Sequence, residues 1–235
     1  LVRWQVGGKP VDPPELISIA EEAGLINELG DMVINKSLAT LAAFKREQLS
    51  PGSMAFNVVA AQLQAPDFAE RLYGLIERHG LKPHDVEIEV TENVILDRSA
   101  GDFSNVLCML RKAGVSISLD DFGTGYASLT HLKQFPIDFL KIDRSFVSGL
   151  PDTKGDEIIV RTIISLAHSL GIRAVAEGVE TLDQYKQLSN FGCDFVQGFL
   201  LARPMNEQET RKYLTTTNES GTFAEFRSRT EEAGL

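Results

Sequence analysis

Short apolar or β-branched runs alternate with segments of helical period along this chain, and that alternation leaves few folds open to it. The runs that read as strands are Leu1–Trp4, Met54–Val58, Val86–Val90, Val115–Leu119, Phe139–Ile142, Arg173–Ala176 and Phe195–Gln197. Several are apolar at nearly every position, the pattern of parallel strands covered by helices outside and packed on one another within. The helices are signalled more sharply. Asp156–Leu170 places Ile159, Ile163, Leu166, Ala167 and Leu170 on one face, and Gly171 stops it. Thr181 with Gln184 makes a capping-box pattern for a helix ending before Gly192, and Gly80 and Gly114 close helices begun near Asp67 and Gly101. Pro13 and Pro14 suit the first turn of the helix carrying Leu16, Ile17 and Ala20. The expected fold class is α/β, a (β/α)8 TIM-like barrel. Seven strands are legible where closure takes eight, so this fragment is expected to lack the barrel's N-terminal strand.

With 235 residues, 43% hydrophobic and 24% charged, there is material for one barrel-sized domain and no second core. That domain is expected over residues 1–214, with a polar tail over 215–235 that is either a short surface helix or a frayed end and carries no chemistry. No apolar run approaches the roughly 18 residues of a membrane span, so a soluble, cytoplasmic fragment without membrane contact is expected. A formal charge of −10 argues against polymeric nucleic acid, which needs a clustered basic face, and an anionic ligand would need local cations. Cys108 and Cys193 lack disulfide or zinc spacing and read as core thiols. His79, His84, His131 and His168 are scattered and read as surface or helix-end residues.

Polar residues fall where the strands end. Asn57, Glu89, Asp120 with Asp121, Lys141 with Asp143, Glu177 and Gln197 close the second to seventh of these runs in turn. In a (β/α) barrel those ends converge on one mouth, the place where such barrels hold their active sites. A single acid there reads first as a helix cap or loop ligand. A ring of them is a costly gathering of like charge unless a cation is meant to join it. Asn57, Glu89, Asp120 and Asp121 offer only hard oxygen donors, which favours Mg²⁺ or Mn²⁺ over zinc or copper. Lys141 stands among them as a fixed cation for a phosphate or an attacking water, or else as an internal salt-bridge partner of Asp120 or Asp121. Asp120-Asp121-Phe122-Gly123-Thr124-Gly125-Tyr126 runs from a strand end into a glycine-rich loop, but the chain has neither the Gly-x-Gly-x-x-Gly nor the Gly-Lys-Ser/Thr pattern of nucleotide cradles.

These segments resemble the EAL domains of bacterial cyclic di-GMP phosphodiesterases over about residues 1 to 214. Leu1-Val2-Arg3-Trp4 is similar to the end of the Glu-Ala-Leu signature. Glu89-Val90-Thr91-Glu92, the Asp120–Tyr126 segment, Lys141–Val147, Ala176–Thr181 and Gln197-Gly198-Phe199 follow in family order and spacing. The resemblance implies metal ligation by Asn57, Glu89 and Asp120, with Asp121 reaching a second Mg²⁺ or Mn²⁺ ion. It implies that Lys141 and Glu177 handle the water, with Glu177 as general base or metal ligand. Arg3, Asp143 and Gln197 would form the substrate-binding side, Arg3 against a ligand phosphate and Gln197 helping to fix the water or metal shell. Glu92 would brace the loop Phe122–Ser128, which in this family links the metal site to a dimer interface, and Glu180 would stand behind the site.

The sequence departs from the family at Val6-Gly7, where His-Pro is usual, and at Val59, where Ser is usual. The family's Glu and Ala, the Glu a metal ligand, are expected immediately before Leu1 in the parent protein, with a further strand upstream. The activity implied is metal-dependent hydrolysis of cyclic di-GMP to the linear dinucleotide. The alternative from another class is a degenerate receptor that binds cyclic di-GMP and signals through domain contacts. A third reading, an unrelated barrel enzyme acting on an enolisable sugar phosphate, rests on fold alone. A homodimer and an upstream sensor or GGDEF domain, in a parent that is either soluble or membrane-anchored, complete the expectations.

Overall fold

The computed structural model describes residues 4–6, 9–49, 51–92, 94, 103–125, 132 and 134–220. Six strands form one parallel sheet in sequence order: β3 (Met54–Asn57), β4 (Val86–Thr91), β5 (Ser116–Phe122), β6 (Phe139–Ile142), β7 (Arg173–Ala176) and β8 (Phe195–Val196). The sheet is curled into a half-barrel, which bears out the α/β barrel class. All six of these strands begin within one residue of the position read from sequence.

The chain's start differs from the sequence reading. Trp4 belongs to β1 (Trp4–Val6), which pairs antiparallel with β2 (Lys9–Val11) in a separate two-stranded sheet, and Leu1–Arg3 lie outside the described residues. Trp4 is therefore not part of the parallel sheet. Pairing across so short a connection needs little loop closure, so the local hairpin competes well with a distant sheet edge.

Helices cover one face of the sheet. They are α1 (Pro13–Glu22), α2 (Ile26–Arg46), α3 (Ala60–Gln64), α4 (Phe68–Arg78), α5 (Phe103–Lys112), α6 (Arg144–Val147), α7 (Lys154–Ser169), α8 (Leu182–Asn190) and α9 (Glu207–Ser220). Val86, Ile88 and Val90 of β4 are fully buried on the helix-covered face, while Glu87, Glu89 and Thr91 alternate onto the other and are half-buried. That period of two separates an apolar outer layer from a polar interior. Full burial of each such aliphatic side chain contributes about 1.5–3 kcal/mol.

Two helix ends follow their sequence signals. Thr181 Oγ1 accepts from Gln184 N at 3.2 Å while Gln184 Oε1 accepts from Thr181 N at 3.0 Å, the reciprocal cap expected there. Pro13 and Pro14 open α1. The face of α7 is rotated from the expected one: Val160, Ile163, Ile164 and Ala167 are buried, whereas Ile159 is 39% exposed. Five apolar residues lie within Ile158–Ile164, so periodicity alone does not single out the inward stripe.

The helix after the last strand meets the helix before the first parallel one. Arg211 of α9 reaches Glu47, just past α2, at 2.8 Å and lies 5.2 Å above the ring of Phe44. Thr40 Oγ1 donates to Glu207 Oε2 at 3.4 Å. The helical layer thus curls around far enough for its two ends to touch. The expected tail falls partly in α9, which covers residues 215–220, and 221–235 lie outside the described residues. Among the described residues no helix is long and apolar enough to cross a membrane.

Candidate active site

Parallel pairing brings the strand ends together. Asn57 is the register partner of Glu89, and Thr91 that of Asp120. Glu177 N donates to Ile142 O at 3.1 Å and Gln197 N to Ala176 O at 2.8 Å, so both residues continue the ladder one step past their strands. Asn57, Glu89, Asp120, Glu177 and Gln197 are thereby held on sheet backbone rather than on a loose loop.

Asp120 and Asp121 both reach the mouth because β5 breaks its own alternation. Leu119 pairs with Leu140 and Phe122 with Ile142, so three residues of β5 advance against two of β6. The extra residue is taken up by Asp121, whose φ is +55°. In a regular strand Asp121 would follow Leu119 outward toward the helices. The bulge re-aims it, at the cost of a left-handed backbone in a non-glycine residue. Thr124 Oγ1 donates to Asp121 O at 2.8 Å, and Asp120 Oδ1 accepts from Asp121 N at 3.0 Å.

Lys141 lies at the centre. Its Nζ is 2.8 Å from Glu89 Oε1, 3.1 Å from Asp120 Oδ1 and 2.7 Å from Glu177 Oε1, and only 6% of the side chain is exposed. Burial opposes its charge, but the attraction of Glu89 and Glu177 outweighs burial and raises its pKa. The salt-bridge reading of Lys141 is met for Asp120, with Glu89 and Glu177 as further partners.

One oxygen each from Asp120, Asp121 and Glu177 lie within 4.8 Å of one another. One ion with oxygen ligands at about 2.0–2.4 Å spans such a separation. The donors are all carboxylate oxygens, which suits a hard divalent cation. Burial pushes the Glu177 carboxyl above the usual carboxylate range, and Asp120 and Glu89 add to this against the pull of Lys141. Burial does the same to Asp121, reinforced by Asp120 and Asp143. These acids are short of positive charge, the condition a bound cation relieves.

The remaining expected residues separate. Glu92 is 3% exposed, and its Oε2 accepts from Gly123 N at 3.1 Å and Gly125 N at 3.3 Å. It touches the described start of the loop Phe122–Ser128, whose residues 126–128 lie outside the described residues. Asp143 Oδ1 accepts from Ser145 N at 3.0 Å and caps α6. Asn57 and Gln197 are exposed at the rim. Arg3 lies outside the described residues.

Glu87 is the interior acid that the sequence reading passed over. It accepts a short hydrogen bond from the hydroxyl of fully buried Ser118, one step below Glu89 on the same strand face. Its signal was the alternation Val86-Glu87-Ile88-Glu89-Val90, which sends both acids inward. The cysteines are partly buried and free, and burial pushes the Cys193 thiol up to about 11.

The family model for the EAL domain matches residues 1–204. The chain is 35% identical over 217 residues to the cyclic di-GMP phosphodiesterase PA2567 of Pseudomonas aeruginosa, covering 91% of this chain and 36% of that protein. Among solved structures it superposes on the PaMucR phosphodiesterase in complex with c-di-GMP, with a TM-score of 0.81, 34% identity, and coverage of 88% of this chain and 84% of that one. It also superposes on the manganese/cy-diGMP complex of Klebsiella pneumoniae BlrP1, with a TM-score of 0.73, 31% identity, and coverage of 83% and 49%. The chain spans 25% to 36% of the length of the first three curated relatives it matches. A match across nearly all of the described barrel, with its acids gathered at the strand ends, leaves one assignment: the chain belongs to the EAL domain family.

Proposed function

We propose that this domain hydrolyses cyclic di-GMP to the linear dinucleotide, using Mg²⁺ or Mn²⁺ bound at the strand ends. The observation that carries the reading is the convergence of Asp120, Asp121 and Glu177 oxygens within 4.8 Å beside Lys141. The relatives named above supply the substrate class.

In this reading Asp120 and Asp121 would hold a divalent cation, with Glu89 and Asn57 on the neighbouring strands as further ligands, and Asp121 would also serve a second ion. When bound, the cations lower the pKa of water and neutralise charge on the phosphodiester. Lys141 gives a fixed positive charge to the phosphate oxygens and keeps Glu89, Asp120 and Glu177 from spreading apart. Glu177 takes one proton of the attacking water as the new P–O bond forms and the ring P–O bond to the departing ribose oxygen breaks, that oxygen taking up a proton from solvent. Burial poises the Glu177 carboxyl for proton transfer. Asp143 and Gln197 line the substrate side together with Arg3. Glu92 holds the backbone of the loop that leaves Asp121.

The proposal extends to assembly and context. The domain is residues 1–214, it forms a homodimer, and in the parent protein it works in the cytoplasm behind an upstream sensor or GGDEF domain. Ile158 of α7, 61% exposed beside Ile159, supports an apolar contact between copies.

The test is turnover of cyclic di-GMP with Mn²⁺ beside binding measured in Ca²⁺ or EDTA. Turnover with Mn²⁺ that EDTA abolishes is the expected result. Tight binding without turnover in any metal would make the domain a receptor. Absence of both would return the barrel to an unassigned substrate.

A further inference from the structure

Between the two loops that carry the acids lies the short helix α6. Asp121 leads into Gly123, and Glu177 leads into Gly178. A Cβ on Gly123 would lie 3.0 Å from Cε2 of Phe146 in α6, and one on Gly178 would lie 2.5 Å from Cβ of Arg144, the first residue of the same helix. Both glycines also hold positive φ, +98° and +70°. One turn of helix therefore touches the backbone of both acid-bearing loops, with glycine at each contact so that the approach is close.

The helix is itself anchored on both sides. Asp143 caps its start through Ser145 N at 3.0 Å. At its end Val147 O accepts from Gln184 Nε2 at 3.2 Å. Gln184 is 5% exposed, and its Oε1 accepts from Glu180 N at 2.8 Å and Thr181 N at 3.0 Å. A single buried amide thus ties the far end of α6 to the segment that follows Glu177. Val147 is fully buried, which roots the turn in the core.

We propose that α6 is the spacer that sets the separation of Asp121 and Glu177, with Phe146 as a positioning residue at its contact with Gly123 and Gln184 as the tie on the Glu177 side. The inference rests on the reading of Asp120 and Asp121 as ligands of a divalent cation beside Glu177. Its physical basis is that Asp121 sits in a strained left-handed conformation, which persists only where its surroundings hold it. Phe146 packs against the residue two places beyond that strain, whereas Asp121 has no regular strand pairing of its own. Removing the ring leaves the bulge free to relax, and the carboxylate swings away from Glu177.

The experiment is Mn²⁺ binding to the whole 235-residue chain without substrate, read from the electron paramagnetic resonance of free Mn²⁺. Phe146→Ala is expected to weaken Mn²⁺ about 10–100-fold, the loss typical when a group behind a metal ligand is removed. Phe146→Leu should recover most of it. Val160→Ala, a truncation at a fully buried position of α7, should lower thermal stability without changing Mn²⁺ affinity. That contrast separates positioning from general loss of packing.

If Phe146→Ala does not fold, Gln184→Met decides, expected to weaken Mn²⁺ by about 10-fold or more on the same ground. Unchanged Mn²⁺ affinity in folded Phe146→Ala, or in Gln184→Met where Phe146→Ala does not fold, overturns the spacer and leaves the metal site standing. Failure of the unmutated chain to bind Mn²⁺, with Asp120→Asn behaving identically, overturns the metal reading and the spacer with it.

Discussion

The two ends of the parallel sheet treat their acids in opposite ways. At the N-terminal end Asp85, Asp138 and Asp194 immediately precede β4, β6 and β8, and each has a basic partner of its own: Lys45, Arg111 and His168. Each also accepts from a backbone N–H, from Lys82 at 2.9 Å, Ile117 at 3.0 Å and Ala174 at 2.7 Å respectively. At the C-terminal end Glu89, Asp120 and Glu177 share the single ammonium of Lys141, and Asp121 stands beside them. Burial opposes ionisation of Asp85 and Asp194, but their partners outweigh it and hold both carboxyls below the usual range. Burial and crowding push Asp121 and Glu177 above it. The same residue type is thus structural where each charge is answered locally and chemical where the charges are left in deficit.

The largest expected effect tests the chemical end. Glu177→Gln keeps the size of the side chain but cannot accept a proton, and turnover of cyclic di-GMP should fall on the order of 10²–10⁴-fold while binding survives. Metal dependence sharpens the assignment. If excess Mn²⁺ restores activity, Glu177 acts chiefly as a ligand; if it does not, Glu177 is the base. Retention of more than about a tenth of turnover at saturating metal, less than general-base loss produces, would strip Glu177 of that role and leave it to Lys141 or the bound cations.

Much of this contrast is legible in the sequence, and the part that is not has a physical cause. The acids of the mouth end apolar runs, so their convergence follows from the barrel once the alternation of strand and helix is read. The basic partners of Asp85, Asp138 and Asp194 lie 40, 27 and 26 residues away in sequence, and no local pattern announces such pairs. The bulge at Asp121 was equally hidden, because it arises from the register of β5 against β6 rather than from β5 itself. Trp4 misled for a related reason: it ends a run that suits a strand, but pairing places it in the two-stranded sheet.

Removing Lys141 breaks the balance at the mouth. Lys141→Met, assayed in EDTA near neutral pH, should cost about 3–5 kcal/mol of stability, since three partly buried carboxylates lose their cation. The two ends should also respond to pH in opposite directions. Asp121 and Glu177 hold protons more tightly folded than unfolded, so without divalent ions their contribution is favourable at low pH and lost as pH rises through their raised folded values. Asp85 and Asp194 contribute fully above the ordinary carboxylate range and lose that contribution as pH falls through their lowered folded values. Urea denaturation across pH checks this: in EDTA, Asp121→Asn should flatten the loss on raising pH and Asp85→Asn the loss on lowering it. The same slope in both variants would dissolve the distinction.

Asp85→Ala is the intermediate case. It leaves Lys45 and Lys82 N without their acceptor. Because the Lys45 side chain is 37% exposed and screened by water, the expected loss is about 1–3 kcal/mol rather than the full cost of a buried pair. Mn²⁺ affinity should not change, since Asp85 lies at the opposite end of β4 from Glu89. A shift in affinity would mean that the two ends are coupled through the strand.

The smallest effect is the most direct test of whether the structural end is a set of independent local pairs. Arg111 is 49% exposed, so water solvates its guanidinium with or without Asp138, and the ion pair at 2.9 Å is worth little. Asp138 has a second function, accepting from Ile117 N at 3.0 Å, and that bond survives when Arg111 is truncated. Arg111→Ala should therefore cost about 0–1 kcal/mol, whereas Asp138→Ala should cost about 1–3 kcal/mol because it strips a strand N–H of its acceptor. In the double variant the loss should match that of Asp138→Ala to within a few tenths of a kcal/mol, the coupling of a weak surface pair. Turnover should be unaltered in Arg111→Ala, since Arg111 lies in α5 at the end of the sheet away from the mouth. A loss above about 2 kcal/mol in Arg111→Ala, more than an exposed pair supports, or a change in turnover, would show that the acids at the base are not answered one by one, and the contrast between the two ends would fail there.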